Sequence, residues 1–525
     1  MKSVMKHRFS EVPSVEIPRS TFKRNHGHKT TFDAGYLVPI LIDLAIPGDS
    51  IKCNLHAISR LSTPIYPIMD NMYMDTFFFA IPLRLIWANF KKFCGEQDNP
   101  GDTIAYSVPQ VPLTNVANES LYDYFGLPTK LTQAYNVNNL AARSYNLVYN
   151  QWFRDQNLQD SVTVDTDDGP DDPTDYVLLR RGKRHDYFTS CLPFLQKGDA
   201  VELSLGTTAP ITGIGKQEQT YAASSVNAYE TDQTGTVAYA SASSIYGNNN
   251  TDRFYAEEDP NNAGYPNIRA DLANATASTV NELRQAIQIQ RLLERDARSG
   301  SRYIEIVKSH FGVSSDDARM QRPEYLGGGS QAINVSPIAR TDSSPGELGA
   351  MGTTRISNHG FVKSFSEHCV ILGLCNVRAD LTYQEGIERH FDYRTRYDFY
   401  WPALSHIGEQ AVLNREIFLD DATLTAGTDT DVFGYQERHA EMRYKKSLIT
   451  GKMRSNDAAS LDAWHLGIEF GSLPTLDDTF IQDNPPIDRV IATPTEPHFI
   501  FDSYFEYNHA RPMPTYAIPG LMDHF

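Results

Sequence analysis

The chain has 525 residues, 41% of them hydrophobic and 11% aromatic, and carries a formal net charge of −18 at pH 7. This composition predicts a buried core, and the acidic balance argues against a general nucleic-acid-binding protein, whose surface is usually basic. No hydrophobic run is long enough to cross a bilayer, and residues 1–13 contain no apolar signal core. We therefore expect synthesis in the cytosol and no membrane insertion.

A basic segment precedes the acidic body. Residues 1–30 contain seven Lys or Arg against two Glu, a net charge of +5. This excess predicts an N-terminal arm over residues 1–29 that contacts a polyanion, and a disordered arm that only aids solubility is the alternative. The candidate contacts for single-stranded DNA in this arm are Lys6, Arg8, Lys23, Arg24 and Lys29.

Three apolar runs, at 30–46, 50–61 and 71–87, predict β-strands, because turn residues separate them. In the third run both alternating faces are apolar or aromatic, which is typical of a strand covered on two sides. We assign residues 30–205 to the first part of a β-sandwich with insertions.

The segment 165–175 holds six aspartates. Carboxylates suit hard cations, but EF-hand spacing and a closing Glu are missing, so a solvated loop is favoured over a cation site. The five cysteines form no Cys-x-x-Cys pair, which predicts reduced, buried thiols. We expect no metal and no cofactor.

The composition changes sharply after residue 205. From 206 to about 265 the chain is rich in Ala, Ser, Thr, Gly, Asn, Gln and Tyr and has no Leu, so this part cannot form its own core. Tyr, Ser, Gly and Asn are typical of adaptable recognition surfaces, so the insertion 206–270 is either a recognition loop or an inert decoration. Its candidate contact residues are Tyr221, Tyr229, Tyr239 and Tyr246.

The strongest helical signal lies in the segment 271–330. Thr279 and Glu282 have the form of a capping box, and apolar residues then recur at helical spacing as far as Gly300. A second helix is predicted over 302–311. The apolar face of the first helix is a candidate subunit contact formed by Leu283, Ile287, Leu292 and Leu293.

The remaining residues, 331–525, are assigned to the rest of the sandwich, its loops and a C-terminal segment. We predict a turn at the glycines 327–329, which lack the Lys and the spacing of a phosphate-binding loop. A Ser/Pro/Gly-rich connection is predicted over 334–358, and strands are predicted within 360–386 and at 498–508.

A second basic segment, 437–455, contains six Lys or Arg against two Glu, a net charge of +4. A basic groove with an aromatic side chain holds single strands without sequence preference, and a strip of salt bridges between subunits is the alternative. Its candidate contacts are Arg443, Tyr444, Lys445, Lys446, Lys452 and Arg454.

Long blocks of the sequence resemble one family, the major capsid proteins of microviruses (small icosahedral single-stranded DNA bacteriophages), particularly the gokushovirus branch. The blocks begin with HKTTFDAGYLVPILIDLAIPGDS and continue with TVNELRQAIQIQRLLERDARSGSRYIEIVKSHFGV and QRPEYLGGGS. They end with RYDFYWPALSHIGEQAVLNREI and MRYKKSLITGKMRS, so the resemblance covers nearly the whole chain.

The resemblance implies a mainly β fold, an eight-stranded antiparallel jelly roll with large loop insertions and a helical insert. It also implies a T=1 icosahedral shell of 60 copies around circular single-stranded DNA. The insertion 206–270 would form protrusions at the threefold axes that meet a host surface receptor. The virion would be its location, with assembly in the host cytoplasm.

Two further expectations follow from composition. Sixty acidic subunits cannot neutralise a packaged genome, so we expect a small basic DNA-packaging protein as a partner, as relatives of this family have. No catalytic motif occurs, so we expect no enzymatic activity. The alternative function is a carbohydrate-binding β-sandwich surface protein, which the missing signal peptide and the thiols disfavour.

Overall fold

The computed structural model describes residues 18–202, 279–313, 321–339 and 348–516, together with six short pieces between 211 and 270. The chain divides into two compact units. The larger unit contains residues 1–195 and 299–525, and the smaller one contains residues 196–298.

Twenty strands lie in the described residues, numbered in chain order: β1 Ser20–Lys23, β2 His26–Phe32, β3 Val38–Ala45, β4 Ser50–Leu61, β5 Met72–Pro82, β6 Gln110–Leu113, β7 Tyr135–Asn138, β8 Ile211–Thr212, β9 Ile214–Lys216, β10 Ala228–Tyr229, β11 Thr236–Val237, β12 Phe254–Ala256, β13 Arg269–Ala270, β14 Glu324–Ala332, β15 Asn334–Ala339, β16 Leu348–Ser364, β17 Cys369–Ala379, β18 Glu409–Leu413, β19 Val432–Glu437 and β20 Phe499–Arg511. The α-helices of the described part are α1 Leu83–Ile86, α2 Phe90–Phe93, α3 Leu121–Tyr124, α4 Leu140–Val148, α5 Val280–Ser299, α6 Tyr303–Phe311, α7 Asn414–Ile417, α8 Asp421–Ala426 and α9 Asp478–Ile481.

Two antiparallel sheets organise the larger unit. One has six strands in the order β1–β20–β4–β16–β15, with β2 also paired to β20, and the other has four in the order β14–β5–β17–β3. The predicted mainly β, antiparallel fold is confirmed, and the count of eight strands stays a prediction. The C-terminal strand predicted at 498–508 is confirmed, because β20 pairs along its whole length with β4.

The main core lies between these two sheets, and strand alternation explains it. In β5, Met72, Met74 and Phe78 point to one face and are fully buried there with side chains of β4 and β20. Phe79 and Ile81 point to the opposite face and pack in a second core against α1 and α4. The prediction that this strand is covered on two sides is confirmed, and each such Phe contributes roughly 2–3 kcal/mol by leaving water.

The glycines 327–329 do not form the predicted turn. They lie inside β14, which pairs with β5 across a register shift between Tyr325 and Gly327. A Cβ on Gly328 would collide with the backbone oxygen of Thr76, and one on Gly327 would collide with that of Gly360. Glycine is therefore used here for close approach of backbones and not for turning, a distinction that composition alone does not reveal.

The predicted connection over 334–358 is also wrong, because this stretch contains β15 and most of β16. Both strands belong to the six-stranded sheet. Gly352 meets the side chain of Leu61 so closely that a Cβ would need the leucine to move. Small residues in this stretch permit packing inside a sheet, which overrides their low strand propensity.

Both predicted helices are confirmed. The Thr279 hydroxyl accepts from the Glu282 amide at 3.2 Å, and the Thr279 amide donates to the Glu282 carboxylate at 2.8 Å, which completes the capping box at the start of α5. Gly300, with φ of 98°, follows α5. Gly312 ends α6 in the left-handed conformation that glycine adopts most easily.

The aspartate-rich segment 165–175 is a largely exposed loop, as predicted, with the exception of Asp171. Asp171 is fully buried with the guanidinium of Arg143, whose side chain is also 0% exposed. Asp168 accepts hydrogen bonds from the indole of Trp87 at 2.7 Å and from Asn89. Asp171 fixes this segment to helix α4, and Asp168 fixes it to the residues after α1. The burial of Asp171 was not predicted, because its arginine partner is 28 residues away in the sequence.

Candidate functional site

The N-terminal basic residues lie partly inside the six-stranded sheet. Strands β1 and β2 pair with β20, so the sheet already begins at Ser20 and not after residue 29. Arg24 forms an ion pair with Asp43 at 2.5 Å, and Lys29 forms one with Asp502. Lys23 is exposed at the end of β1. Lys6 and Arg8 lie outside the described residues.

The ion pairs of Arg24 and Lys29 are at the surface, where they contribute little to stability. Their side chains remain 44% and 77% exposed. A phosphate could replace the exposed Asp502 on Lys29 at small cost, whereas Asp43 is only 13% exposed and would lose its partner Arg24. Both cations stay predicted contacts, and Lys29 is the more accessible one.

The basic segment 437–455 is largely neutralised within the chain. Arg443 pairs with Glu437, and Lys445 pairs with Glu388. The Arg454 guanidinium donates to the backbone oxygen of Gln384 at 2.9 Å. These contacts resemble the salt-bridge alternative more than an open cationic groove, although they join residues of one subunit.

Lys446 is the most enclosed cation of this segment. Its ammonium donates to the backbone oxygens of Glu416 at 2.8 Å and Ile387 at 3.2 Å. Burial lowers the pKa of Lys446 to about 8, and the charges of Glu416 and Glu388 oppose that shift. A lysine held in this way anchors loops, so its contribution to a polyanion contact is small.

Tyr444 and Lys452 are the candidate contacts of this segment whose side chains are exposed and make no ion pair or hydrogen bond within the described residues. Tyr444 is 53% exposed and borders a small cavity of about 130 Å³ that Lys445 and Lys446 share with Glu388 and Glu416. Lys452 is exposed. The structure thus brings Tyr444, Lys445 and Lys446 together, but beside carboxylates.

The apolar face predicted on α5 is exposed in the subunit. Leu283, Ile287 and Leu292 are 42%, 50% and 51% exposed, and Leu293 is partly buried. Leu283 and Ile287 lie one turn apart on one exposed face of α5, whereas Leu292 lies on the opposite side of the helix, so the four residues do not form a single face. Their role as a subunit contact stays a prediction.

A second apolar surface lies in the segment 391–407, which joins the strands of the small sheet β18–β19 to the rest of the larger unit. Its large aromatic side chains are unusually exposed: Trp401 is 48% exposed and Phe391 is 77% exposed. We call it the aromatic patch; its exposed members are Phe391, Tyr397, Phe399, Tyr400, Trp401 and Ile407.

Four tyrosines of the insertion were predicted to face the host, and the structure describes one of them. Tyr221, Tyr239 and Tyr246 lie outside the described residues. Tyr229 belongs to β10, which pairs with β11 in a two-stranded hairpin. Short hairpins in a low-aliphatic segment agree with a surface insertion.

Two observations concern metals and thiols. In the described residues no group of three or more His, Cys, Asp or Glu side chains has the arrangement of a metal site. None of the five cysteines, all within the described residues, forms a disulfide, and four of them are buried as predicted, whereas Cys94 is exposed. Within the same residues, no helix has the length and apolar character that crossing a membrane requires.

One basic cluster was missed by the sequence reasoning. Residues 180–184 read RRGKR, four cations in five residues, and a short Lys/Arg-rich run of this kind is a known signal for polyanion contact. It was overlooked because it follows the aspartate-rich stretch that was read as a loop and lies far from the two longer basic segments.

Comparison with known proteins places the whole chain in one group. The family model described as "Capsid protein (F protein)" matches residues 10–521. The chain is 44% identical to capsid protein VP1 of Bdellovibrio phage phiMH2K, over 99% of this chain and 98% of that protein. It is 42% identical to capsid protein VP1 of Chlamydia phage 1, over 99% and 98%. The corresponding protein of Spiroplasma virus 4 is 36% identical, over 98% and 97%.

Proposed function

The chain belongs to the capsid protein (F protein) family, and on that premise we propose that 60 copies of it assemble into a T=1 icosahedral shell. Family membership makes it a structural protein of the virion and not an enzyme, and the resemblance to microvirus capsid proteins is thereby confirmed. The copy number and the symmetry belong to the proposal.

The aromatic patch carries the proposal for self-association. Monomeric soluble proteins rarely expose so many large aromatic side chains within one short segment, and a concentration of this kind marks a protein contact. Interface centres are enriched in Tyr, Trp and Phe, the residue types found here. Full burial of one phenylalanine contributes roughly 2–3 kcal/mol, and a shell repeats that contribution in every subunit.

Assembly of the purified full chain, followed by electron microscopy and sedimentation, tests the patch. We expect Phe391→Ser to reduce the yield of particles by at least about tenfold, since the repeated loss weakens every copy of the contact. Phe311→Ser is the matched control, because Phe311 in α6 is also 77% exposed. Equal yields for both variants and the unchanged chain, at unchanged melting temperature, would exclude the patch from the interface.

We propose further that the insertion 206–270 forms a surface protrusion that attaches to the host. Its composition supports this, because adaptable recognition surfaces use the same residue types. Deletion of residues 224–250 should leave particle formation intact and reduce adsorption of particles to host cells. Unchanged adsorption would remove the attachment role.

Circular single-stranded DNA is the proposed content of the shell, and a small basic packaging protein is the proposed partner. The formal charge of −18 per subunit supports the second, because the chain supplies no net positive charge for the phosphates. Mass spectrometry of purified DNA-filled particles checks this. Particles that contain only this chain and polyamines would contradict it.

A further inference from the structure

A cleft of about 620 Å³ lies on the outer face of the four-stranded sheet, within the larger unit. It is bordered by the run 180–184 that the sequence reasoning missed, and no function discussed so far uses it. Five lining side chains are aromatic: Phe77, Phe79, Trp152, Phe153 and Tyr325. Five are cationic, Arg154, Arg181, Lys183, Arg184 and Arg302, against the single carboxylate of Asp155.

The aromatic wall is held in place and still reaches solvent. The Trp152 indole donates to the backbone oxygen of Pro323 at 2.9 Å, and its ring lies 5.5 Å from that of Phe79 and 6.1 Å from that of Tyr325. Trp152 remains 36% exposed and Tyr325 43% exposed. The Arg322 guanidinium lies over the Trp152 ring, 4.7 Å from its centre, so a planar group would stack on the area that this contact leaves open or on Tyr325.

The backbone of the basic run is equally fixed. The Lys183 amide donates to the Ile481 oxygen at 2.7 Å, and the Asp483 amide donates to the Arg181 oxygen at the same distance. These bonds hold the run along the cleft, so its backbone needs little ordering when a ligand binds.

The cations differ in how far their charge is already used. Arg181 forms an ion pair with Asp75 at 2.6 Å, and Lys183 donates to the Phe480 oxygen at 2.6 Å. Arg184, in contrast, is exposed, and its guanidinium makes no ion pair or hydrogen bond within the described part of the chain. It is available to a ligand.

Arg154 is a second cation of the cleft with an unsatisfied hydrogen-bond donor. Its Nε is buried and has no hydrogen-bond partner among the described residues. Burial lowers the pKa of Arg154, and the positive charge of Arg302 lowers it further. The Arg302 guanidinium is already paired with Glu305 at 3.0 Å, so the unsatisfied donor here is the Nε of Arg154, which an anion placed beside it would stabilise.

The ligand must therefore supply both an anion and a flat apolar face. A nucleotide of a single strand does so, because the phosphate meets the arginines and the unpaired base stacks on an aromatic ring. A duplex keeps its bases stacked inside, and an acidic peptide supplies the charge without the flat face. The volume lies within the range of small-ligand pockets, roughly 300–1,000 Å³.

We propose that this cleft binds single-stranded nucleic acid, with a phosphate near Arg154, Arg184 and Arg302 and a base against Trp152 and Tyr325. The assignment does not depend on shell formation, because every lining residue belongs to one subunit. It deepens the proposed packaging role by placing a DNA contact in neither of the two basic segments chosen from the sequence.

Fluorescence anisotropy with a labelled oligothymidylate of about eight nucleotides, added to the full chain at low salt, tests the site. We expect Arg184→Glu to weaken binding at least about tenfold and to lower the dependence of log Kd on log salt. Trp152→Leu, which keeps an apolar side chain, should weaken binding by roughly 5- to 100-fold through lost stacking. Melting temperatures show whether each variant is folded.

Arg60→Glu is the matched control, since Arg60 on β4 is exposed, lies outside the cleft and undergoes the same charge change. An equal loss in Arg60→Glu and Arg184→Glu would mean that only net charge matters, which overturns the proposal. The proposal would also be overturned if inorganic phosphate or polyglutamate competed as effectively as unlabelled oligothymidylate. Electron microscopy of Arg184→Glu separates the two proposals, because particles without oligonucleotide binding would overturn neither shell formation nor the cleft.

Discussion

The buried ion pair of Arg143 and Asp171 allows a quantitative test of how the aspartate-rich segment contributes to folding. The Arg143 side chain has no exposed area, and its Nε donates to Asp171 at 2.8 Å. Its other donors reach the backbone oxygens of Ile86 at 3.0 Å and Asp167 at 2.9 Å. Asp171 supplies the only fully buried negative charge among these partners.

Asp171→Asn removes that charge and leaves the guanidinium buried. Breaking one partner of such a pair typically costs about 3–5 kcal/mol, because the remaining charge is neither solvated nor balanced. Asp167 recovers part of this, since it lies 3.3 Å from Arg143 but is 80% exposed. We therefore expect a loss of about 3 kcal/mol, which is a large share of the roughly 5–15 kcal/mol that stabilises a typical domain.

Urea unfolding of the unassembled chain measures this loss. Trp87 is buried and donates to Asp168 of the same segment, so its fluorescence reports the local transition. Asp172→Asn is the matched control: Asp172 is exposed, caps a short turn through the Thr174 amide, and asparagine caps equally well. A loss below about 1 kcal/mol for Asp171→Asn, or one equal to that of the control, would refute the reasoning.

Two further predictions concern the sheets and the pH dependence of stability. Gly328→Ala should lower the free energy of unfolding by about 2–3 kcal/mol, because the new methyl group meets the Thr76 oxygen. In the control Gly471→Ala the methyl group meets open space, so thermal melts should show little change. Burial raises the pKa of Glu385 to about 7, so the folded chain holds a proton that the unfolded chain releases, and stability falls as pH rises from about 4.5 to about 7. Glu385→Gln stays neutral and can still accept from the Phe470 amide, so its stability relative to the unchanged chain should rise over that window; a pH-independent difference would contradict this.

Regular patterns were sufficient to predict most of the elements. Apolar and aromatic runs bounded by turn residues predicted β3, β4, β5 and β20, and the capping box predicted the start of α5, because in these stretches the local preference agrees with the final packing. Glycine-rich stretches were misread for a physical reason. Whether a glycine turns the chain or lets two backbones approach depends on a partner strand. That partner is β16 for Gly327 and β5 for Gly328.

The same dependence on distant partners limits what charge patterns predict about sites. The segment 437–455 is strongly basic in sequence, yet Glu388 and Glu416 lie beside Lys445 and Lys446 after folding. The run 180–184 is shorter and less conspicuous, and folding places Arg184 beside Trp152 with no carboxylate on its guanidinium in the described residues. The sequence gives the number of charged residues in a segment, but the fold determines which of them lack a partner of opposite charge.

This difference bears on how an acidic subunit holds an acidic genome. Distant phosphates experience the repulsive field of the net charge, which salt screens over about 10 Å. A phosphate in contact with Arg154 and Arg184 experiences local groups at much shorter range, where unscreened cations dominate over the net charge. A capsid subunit can therefore stay acidic over most of its surface, which keeps unassembled copies soluble, and still retain a strand at one small cleft. Removal of Arg184 should accordingly weaken oligonucleotide binding far more than a change of one charge in a net charge of −18 would suggest.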